Sequence, residues 1–302
     1  MMRAPFAAAL AAAAISLVSA TAQADPVTLE HDGLTLNGAL ELADGKALSD
    51  GVVLMVHGTL AHNGMEIIAG QQQRLAERGV NTLAVSLSLG QDARKGMYDC
   101  TTPHIHRHED AVEEIGAWVG WLKAQGSGPL TVFGHSRGGN QVAWFAAEHA
   151  QAKDVTGWVL VAPATWTEAK EKADYAKRYG ADIGPFLSEA RAKVAAGQGD
   201  ALMDLPGFIY CEKAKASAAA VASYYAAEPR MDTPTLLPAM PKPVLLVIGA
   251  GDEVVPDLSE RLAAGVPEGV TVETVAEAGH MFRDFAADDL ADLVADFSKA
   301  PR

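Results

Sequence analysis

Ser136 stands in Gly134-His135-Ser136-Arg137-Gly138-Gly139, between a short apolar run at 130–133 and a second apolar stretch that repeats with helical spacing. A sharp turn from strand to helix would lift this hydroxyl out of a sheet, and the small residues two before and two after it relieve the crowding of such a turn. The amides of the following helix would aim their dipoles at the same place. A serine hydroxyl is a weak nucleophile until a base takes its proton, and two later residues have the required types. Asp252 lies in GAGDEVVP at 249–256, and His280 lies in EAGHMF at 277–282. Each follows a predicted strand, at the end of an open α/β sheet where functional groups collect. The five-residue pattern around the serine is short enough to arise by chance, so the order Ser, Asp, His and the strand before each carry the reading. In that chemistry Ser136 attacks, His280 takes and returns the proton, and Asp252 orients the imidazole and supports its charge. Glu253 is the adjacent competing acid, and the spacing favours Asp252.

A developing oxyanion needs backbone donors. His57-Gly58-Thr59 follows the first buried strand, so the amide of Thr59 or Leu60 and that of Arg137 are the expected pair. His57 is read as a brace for this loop and His135 as a packing residue. The Arg137 side chain is read as a cover for the turn in preference to a ligand for a substrate carboxylate. Leu60, Trp166, Met281 and Phe282 are the expected substrate-side walls, while Trp118, Trp121, Trp144 and Trp158 fall inside periodic elements and read as core.

These residues need a scaffold of alternating strands and helices. An opening hairpin is predicted over 27–42, followed by a strand in GVVLMVHG at 51–58, whose continuous apolar, β-branched character suits a strand covered on both faces. A helix at 65–78, a strand at 81–88 and a helix at 108–124 come next. The pattern continues through strand 130–133, helix 137–149 and strand 156–162. This order implies an α/β sheet with right-handed crossovers. Regularity lapses over about 164–241, which is too long for an ordinary loop and reads as a helical insertion, with an Ala-rich helix near 213–227. The sheet returns at 243–248, then a helix near 257–264, a strand at 270–275 and a last helix at 282–298.

Taken together, HGT at 57–59, GHSRGG at 134–139, GAGDEVVP at 249–256 and GH at 279–280 resemble the α/β-hydrolase superfamily over almost all of the chain after residue 24. The resemblance implies the α/β-hydrolase fold, a mostly parallel central sheet flanked by helices. It also implies a triad of Ser136, Asp252 and His280, oxyanion donors at Thr59 and Arg137, and a cap at about 164–241 that shapes the pocket. The cap departs from the usual pattern in being acidic, lysine-containing and without an obvious aromatic cage. A second departure is SLSLGQD at 86–92, where many relatives carry an Asp and a Gly-rich run.

The start of the chain reads as a secretory signal peptide: Arg3, an Ala-rich apolar stretch through Val18, then Ala22-Gln23-Ala24, with cleavage expected after Ala24. Residues 25–302 then form one domain, exported to the periplasm or beyond, with no stable membrane span. The balance of 24 basic against 38 acidic side chains, a net charge of -14, argues against nucleic acid and anionic lipid as partners. After export a Cys100–Cys211 disulfide is permitted, with two separately buried thiols as the alternative. If formed, it would tie the loop around 100 to the cap and bound the pocket entrance. His104, His106 and His108, followed by Glu109 and Asp110, raise a metal site, but the helix that follows would scatter their common face, so a solvated or hydrogen-bonded loop is preferred. The expected function is a serine hydrolase needing neither cofactor nor metal, which cleaves a small-molecule carboxylic ester through an acyl-enzyme. The same residues would serve a thioester, an amide or a small peptide. A non-catalytic envelope binding protein, or a halogenase or lyase using the same residues, are the more distant readings.

Overall fold

The computed structural model describes residues 24–301 except Lys242 and Ala264. The signal segment expected over 1–24 therefore lies outside the described residues, apart from Ala24.

The chain opens with the antiparallel strands β1 (Asp25–His31) and β2 (Leu34–Glu41), then runs through β3 (Val52–Val56), α1 (Glu66–Glu77), β4 (Thr82–Ser86) and α2 (Asp110–Ala124). Next come β5 (Leu130–His135), α3 (Arg137–Glu148) and β6 (Gly157–Val161). A long excursion follows, with α4 (Glu168–Tyr179), α5 (Gly184–Ala195), β7 (Leu202–Asp204), β8 (Gly207–Phe208), β9 (Cys211–Glu212), β10 (Lys215–Ser217), α6 (Ala218–Tyr225) and α7 (Thr233–Leu236). The sheet resumes with β11 (Val244–Gly249), α8 (Leu258–Leu262), β12 (Val270–Val275) and α9 (Phe285–Lys299).

Eight strands form one sheet in the order β1-β2-β4-β3-β5-β6-β11-β12. From β4 to β12 every neighbouring pair is parallel, and β2 joins β4 antiparallel. The central strands are apolar throughout because both faces are covered. In β3, Val52, Leu54 and Val56 enter the core beneath α2 and α3, while Val53 and Met55 enter the core beneath α1 and α9. This split is the pleat expressed in sequence, since successive side chains point to opposite faces. In α9 the residues Ala286, Ala287, Leu290, Ala291, Val294 and Ala295 recur at helical spacing and are buried. Each of the larger ones contributes roughly 1.5–3 kcal/mol by leaving water.

The excursion between β6 and β11 is less helical than its sequence suggests. β7 pairs with β10, and β8 with β9, each antiparallel. The Ala-rich segment expected as one helix over 213–227 is divided at Ser217, whose hydroxyl accepts from the Ala220 amide and caps α6. The residues before it are held extended by β7 and by His104, which exchanges backbone hydrogen bonds with Lys215 and Ser217. Long-range pairing overrides local helical propensity there. A Cys100–Cys211 disulfide, with Cα atoms 5.3 Å apart, ties the same loop to this segment. Among the described residues no helix is long and apolar enough to cross a membrane.

Candidate active site

Three strand ends converge. Ser136 follows β5, Asp252 lies three residues beyond β11, and His280 follows β12. Ser136 occupies the N-cap position of α3 with φ 57° and ψ -124°, outside the regions an L-residue prefers, and its side chain does not cap the helix. Its hydroxyl is instead 2.9 Å from His280 Nε2, to which it donates. The turn closes only because glycines flank it. A Cβ at Gly134 would stand 2.5 Å from the Gly138 carbonyl oxygen, and one at Gly138 would stand 2.2 Å from that of His57.

On its other side His280 Nδ1 donates to Asp252, at 2.9 Å to Oδ2 and 3.1 Å to Oδ1. Asp252 Oδ1 also accepts from the amides of Val254 and Val255, both at 2.8 Å. Burial works to raise the pKa of Asp252, but the hydrogen bonds and charge of His280 with these amides outweigh it and hold the carboxyl below its ordinary value. Glu253 acts on the backbone instead, its Oε2 accepting from the His280 amide at 3.3 Å. His135 braces the same loop by donating from Nε2 to the His280 carbonyl at 2.9 Å. Burial pushes the pKa of His135 down to about 3, so it stays neutral.

The loop carrying Thr59 is brought against Ser136. A Cβ on Gly58 would lie 3.1 Å from Ser136 Cβ, and Arg137 Nε donates to Thr59 Oγ1 at 3.0 Å. Arg137 begins α3, where helical amides have no acceptor within the helix. His57 is completely buried; Nδ1 donates to the Gly58 carbonyl, and Nε2 accepts from the Leu87 amide at 3.0 Å and from Arg94 Nη2 at 3.1 Å. Arg94 was not singled out by sequence, yet its buried guanidinium also donates to the carbonyls of Ala61, Leu87 and Gly96. It therefore fixes both ends of the 57–61 turn. Its sequence neighbours, Ala93 and Lys95, gave no periodic or motif signal.

A cavity of about 600 Å³ opens over Ser136, floored by Thr59 and Arg137 and walled by α4, by the 209–210 turn, by Tyr225 and by 253–255. Tyr175, Tyr179, Tyr210 and Tyr225 line it, so the segment between β6 and β11 supplies aromatic walls that its sequence did not make obvious. The only hint was Tyr175 and Tyr179 four apart on one helix. Three of the hydroxyls turn to backbone groups, Tyr175 donating to the Gly207 carbonyl and Tyr179 and Tyr225 accepting from the amides of Tyr210 and Ile209.

The four expected wall residues lie elsewhere. Leu60 is buried in the core beneath α2 and α3, and Trp166 is packed against that core with its amide bound to Asp232. Met281 and Phe282 fall on the opposite side of the sheet, against the α1 and α9 core, and border a separate small cleft with Glu66 and Ile67. After His280 the chain turns under the sheet, with Phe282 at φ 44° and its amide returning to the Gly279 carbonyl.

The histidine run is neither solvated nor scattered. His104, His106 and His108 are all buried, packed against Tyr98, Phe208, Tyr224 and Trp144. His104 and His106 share a hydrogen bond at 3.2 Å, and His106 Nδ1 meets the Tyr224 hydroxyl at 2.9 Å. His104 bridges to Ala216 and α2 begins only at Asp110, so the three imidazoles precede the helix and stay together.

This geometry can do nucleophilic acyl chemistry: a hydroxyl, an imidazole aligned on it, a carboxylate behind the imidazole, and amides nearby. Solved structures with the same fold include Est1E from Butyrivibrio proteoclasticus, 20% identical over 90% of this chain and 96% of its own, with a TM-score of 0.63. They also include the esterase domain of a Rhodothermus marinus protein, 16% identical over 91% and 98% with a TM-score of 0.58. A monoacylglycerol lipase from Paleococcus ferrophilus is 18% identical over 87% and 98%, with a TM-score of 0.59. No curated protein matches the chain. Residues 53–295, from the first buried strand into the last helix and including all three converging side chains, match the model of the alpha/beta hydrolase family, and the chain belongs to that family.

Proposed function

We propose that the protein is an exported serine hydrolase that cleaves a carboxylic ester of a small molecule through an acyl-enzyme. The reading rests on one observation: an unbroken hydrogen-bonded line from Ser136 Oγ through His280 to Asp252, at 2.9 Å on each side of the imidazole, at the floor of an open cavity. Ser136 Oγ attacks the carbonyl carbon while its proton passes to His280 Nε2. The oxyanion is received by the amide of Arg137 with that of Thr59 or Leu60. The carbon–oxygen bond to the alcohol then breaks as His280 returns the proton to the leaving oxygen. A water next gives its proton to His280 and attacks the acyl carbon, and the free acid and Ser136 hydroxyl are restored. The segment between β6 and β11 serves as the cap. Among structural relatives, one is named an esterase domain and another a monoacylglycerol lipase, which supports an ester over other acyl compounds. The Cys100–Cys211 disulfide supports export, because such bonds persist in oxidising compartments.

A fluorophosphonate probe tests the reading. The wild-type protein is expected to be labelled once, and Ser136→Ala, folded by circular dichroism, is expected to lose the label and ester hydrolysis together. A folded wild-type protein that takes no label overturns it.

A further inference from the structure

The guanidinium of Arg137 is held in a way that a cover for the turn does not require. It is partly buried on the cavity floor, one residue beyond the nucleophile. Nε is anchored on Thr59 Oγ1, and the guanidinium carbon lies 5.2 Å from the centre of the Tyr224 ring. Its charge also bears on His106 and His108, which burial already keeps neutral. Arg74, Arg78, Arg107, Arg230, Arg261 and Arg283 each close an ion pair with a carboxylate, but among the described residues Arg137 closes none. Glu171 on the cavity wall feels the Arg137 charge, which favours its ionised form, but burial outweighs that charge and pushes the carboxyl toward its neutral form, and the two close no ion pair. Removing a guanidinium from water without a counter-ion is costly, and its planar donors suit a carboxylate. The rest of the cavity points the same way. Lys177 and Arg178 also line it and close no ion pair among the described residues, Lys170 pairs with Asp174, and Glu253 accepts from the His280 amide. The lining thus sets Arg137, Lys170, Lys177 and Arg178 against Glu171, Asp174 and Glu253, in a chain whose overall charge is -14.

We infer that the substrate carries its own carboxylate a few atoms from the scissile carbonyl, and that the Arg137 side chain receives it. This rests on the serine hydrolase reading and names its substrate class: anionic esters, in preference to neutral ones. Arg137 then has two separate roles, its amide toward the oxyanion and its guanidinium toward the substrate anion.

Matched ester pairs test the inference on the full-length protein. Monoethyl and diethyl adipate place the charge on the acyl side, and 4-acetoxybenzoate and its methyl ester place it on the alcohol side. In at least one pair the anionic member is expected to have the higher kcat/KM by about tenfold or more, the size of a charge-assisted hydrogen bond. Added salt is expected to raise KM for that member alone. Arg137→Gln is expected to lower the anionic-to-neutral ratio by about tenfold or more, and Arg137→Lys to retain part of it. The wild-type ratio and its salt dependence stand as a test even if a variant fails to fold. Fluorophosphonate labelling with hydrolysis of the neutral esters, but no anionic preference or one unchanged in Arg137→Gln, overturns this inference and leaves the serine hydrolase reading standing. Absence of both labelling and hydrolysis overturns the two together.

Discussion

Asp252 and Glu253 are adjacent carboxylates whose backbones direct them to different partners. Asp252 accepts from His280 Nδ1 and from two amides, whereas Glu253 reaches only the His280 amide. Removing the charge of Asp252 leaves the imidazole without its orienting acceptor, so Asp252→Asn is expected to lower kcat by about ten-thousandfold. Glu253→Gln keeps an acceptor oxygen for the His280 amide and is expected to lower kcat by less than about tenfold. Steady-state kinetics of the two variants on one neutral ester separate the roles, and equal losses would contradict the assignment. The spacing of GAGDEVVP favours Asp252 without a clean choice, because the two acids are adjacent; the fold turns Asp252 to His280 Nδ1 and Glu253 to the His280 amide. Arg94 was not legible, because its partners His57 and Ala61 lie 37 and 33 residues away in the chain.

The cap is an element whose walls come from α4 and α6 but whose attachment comes from elsewhere. At its base Asp232 accepts from the Trp166 amide, from Thr235 and from Arg261, and Thr233 donates to the Ala164 carbonyl, pinning the two ends of the excursion together. Farther out, the 100–108 loop is joined to it by the disulfide, by the His104 backbone and by the buried histidine–tyrosine cluster. The disulfide closes a loop of 111 residues in sequence separation. Such a closure removes entropy from the unfolded chain and is worth about 3–4 kcal/mol. Replacing both Cys100 and Cys211 with Ser is therefore expected to lower the urea midpoint accordingly. Fluorophosphonate labelling of Ser136 should persist below the transition, since the triad is carried by the sheet. A double variant with an unchanged midpoint would show that the tie is energetically idle.

Over the whole molecule, burial of titratable groups sets a pH dependence of stability. His57, His104, His106, His108 and His135 all have pKa values pushed down by burial, to about 3 for His57 and His135 and about 4 for His104. The folded protein holds them neutral, while the unfolded chain takes up protons below about pH 6.5. Stability from these groups is thus complete above that pH and is lost as pH falls toward the folded values. Glu114 works against this trend, because burial raises its pKa to about 7 and the folded state binds its proton first. Glu41 and Glu171 are raised by burial as well, but these three carboxyls are outweighed by the five histidines, and Asp252, depressed in the folded state, adds to the acid loss at lower pH. The melting temperature is expected to fall steadily from about pH 6.5 to about pH 4.5. Differential scanning fluorimetry checks this, and a flat profile over that interval would contradict the buried, neutral state of the cluster.

The alternation of strands and helices, the two-faced burial of the central strands, and the order of Ser136, Asp252 and His280 are all written in the linear chain. Periodicity, the glycines of GHSRGG and the capping of helices are local properties that a short window of chain expresses completely. What surrounds the nucleophile is settled only by packing in three dimensions. Packing sent Met281 and Phe282 beneath the sheet, drew His104, His106 and His108 into an aromatic core, turned the start of an Ala-rich helix into a strand, and set four tyrosines and Arg137 around one cavity. Each of these outcomes depends on a partner many residues away, and sequence spacing carries no record of which distant surface a side chain will meet.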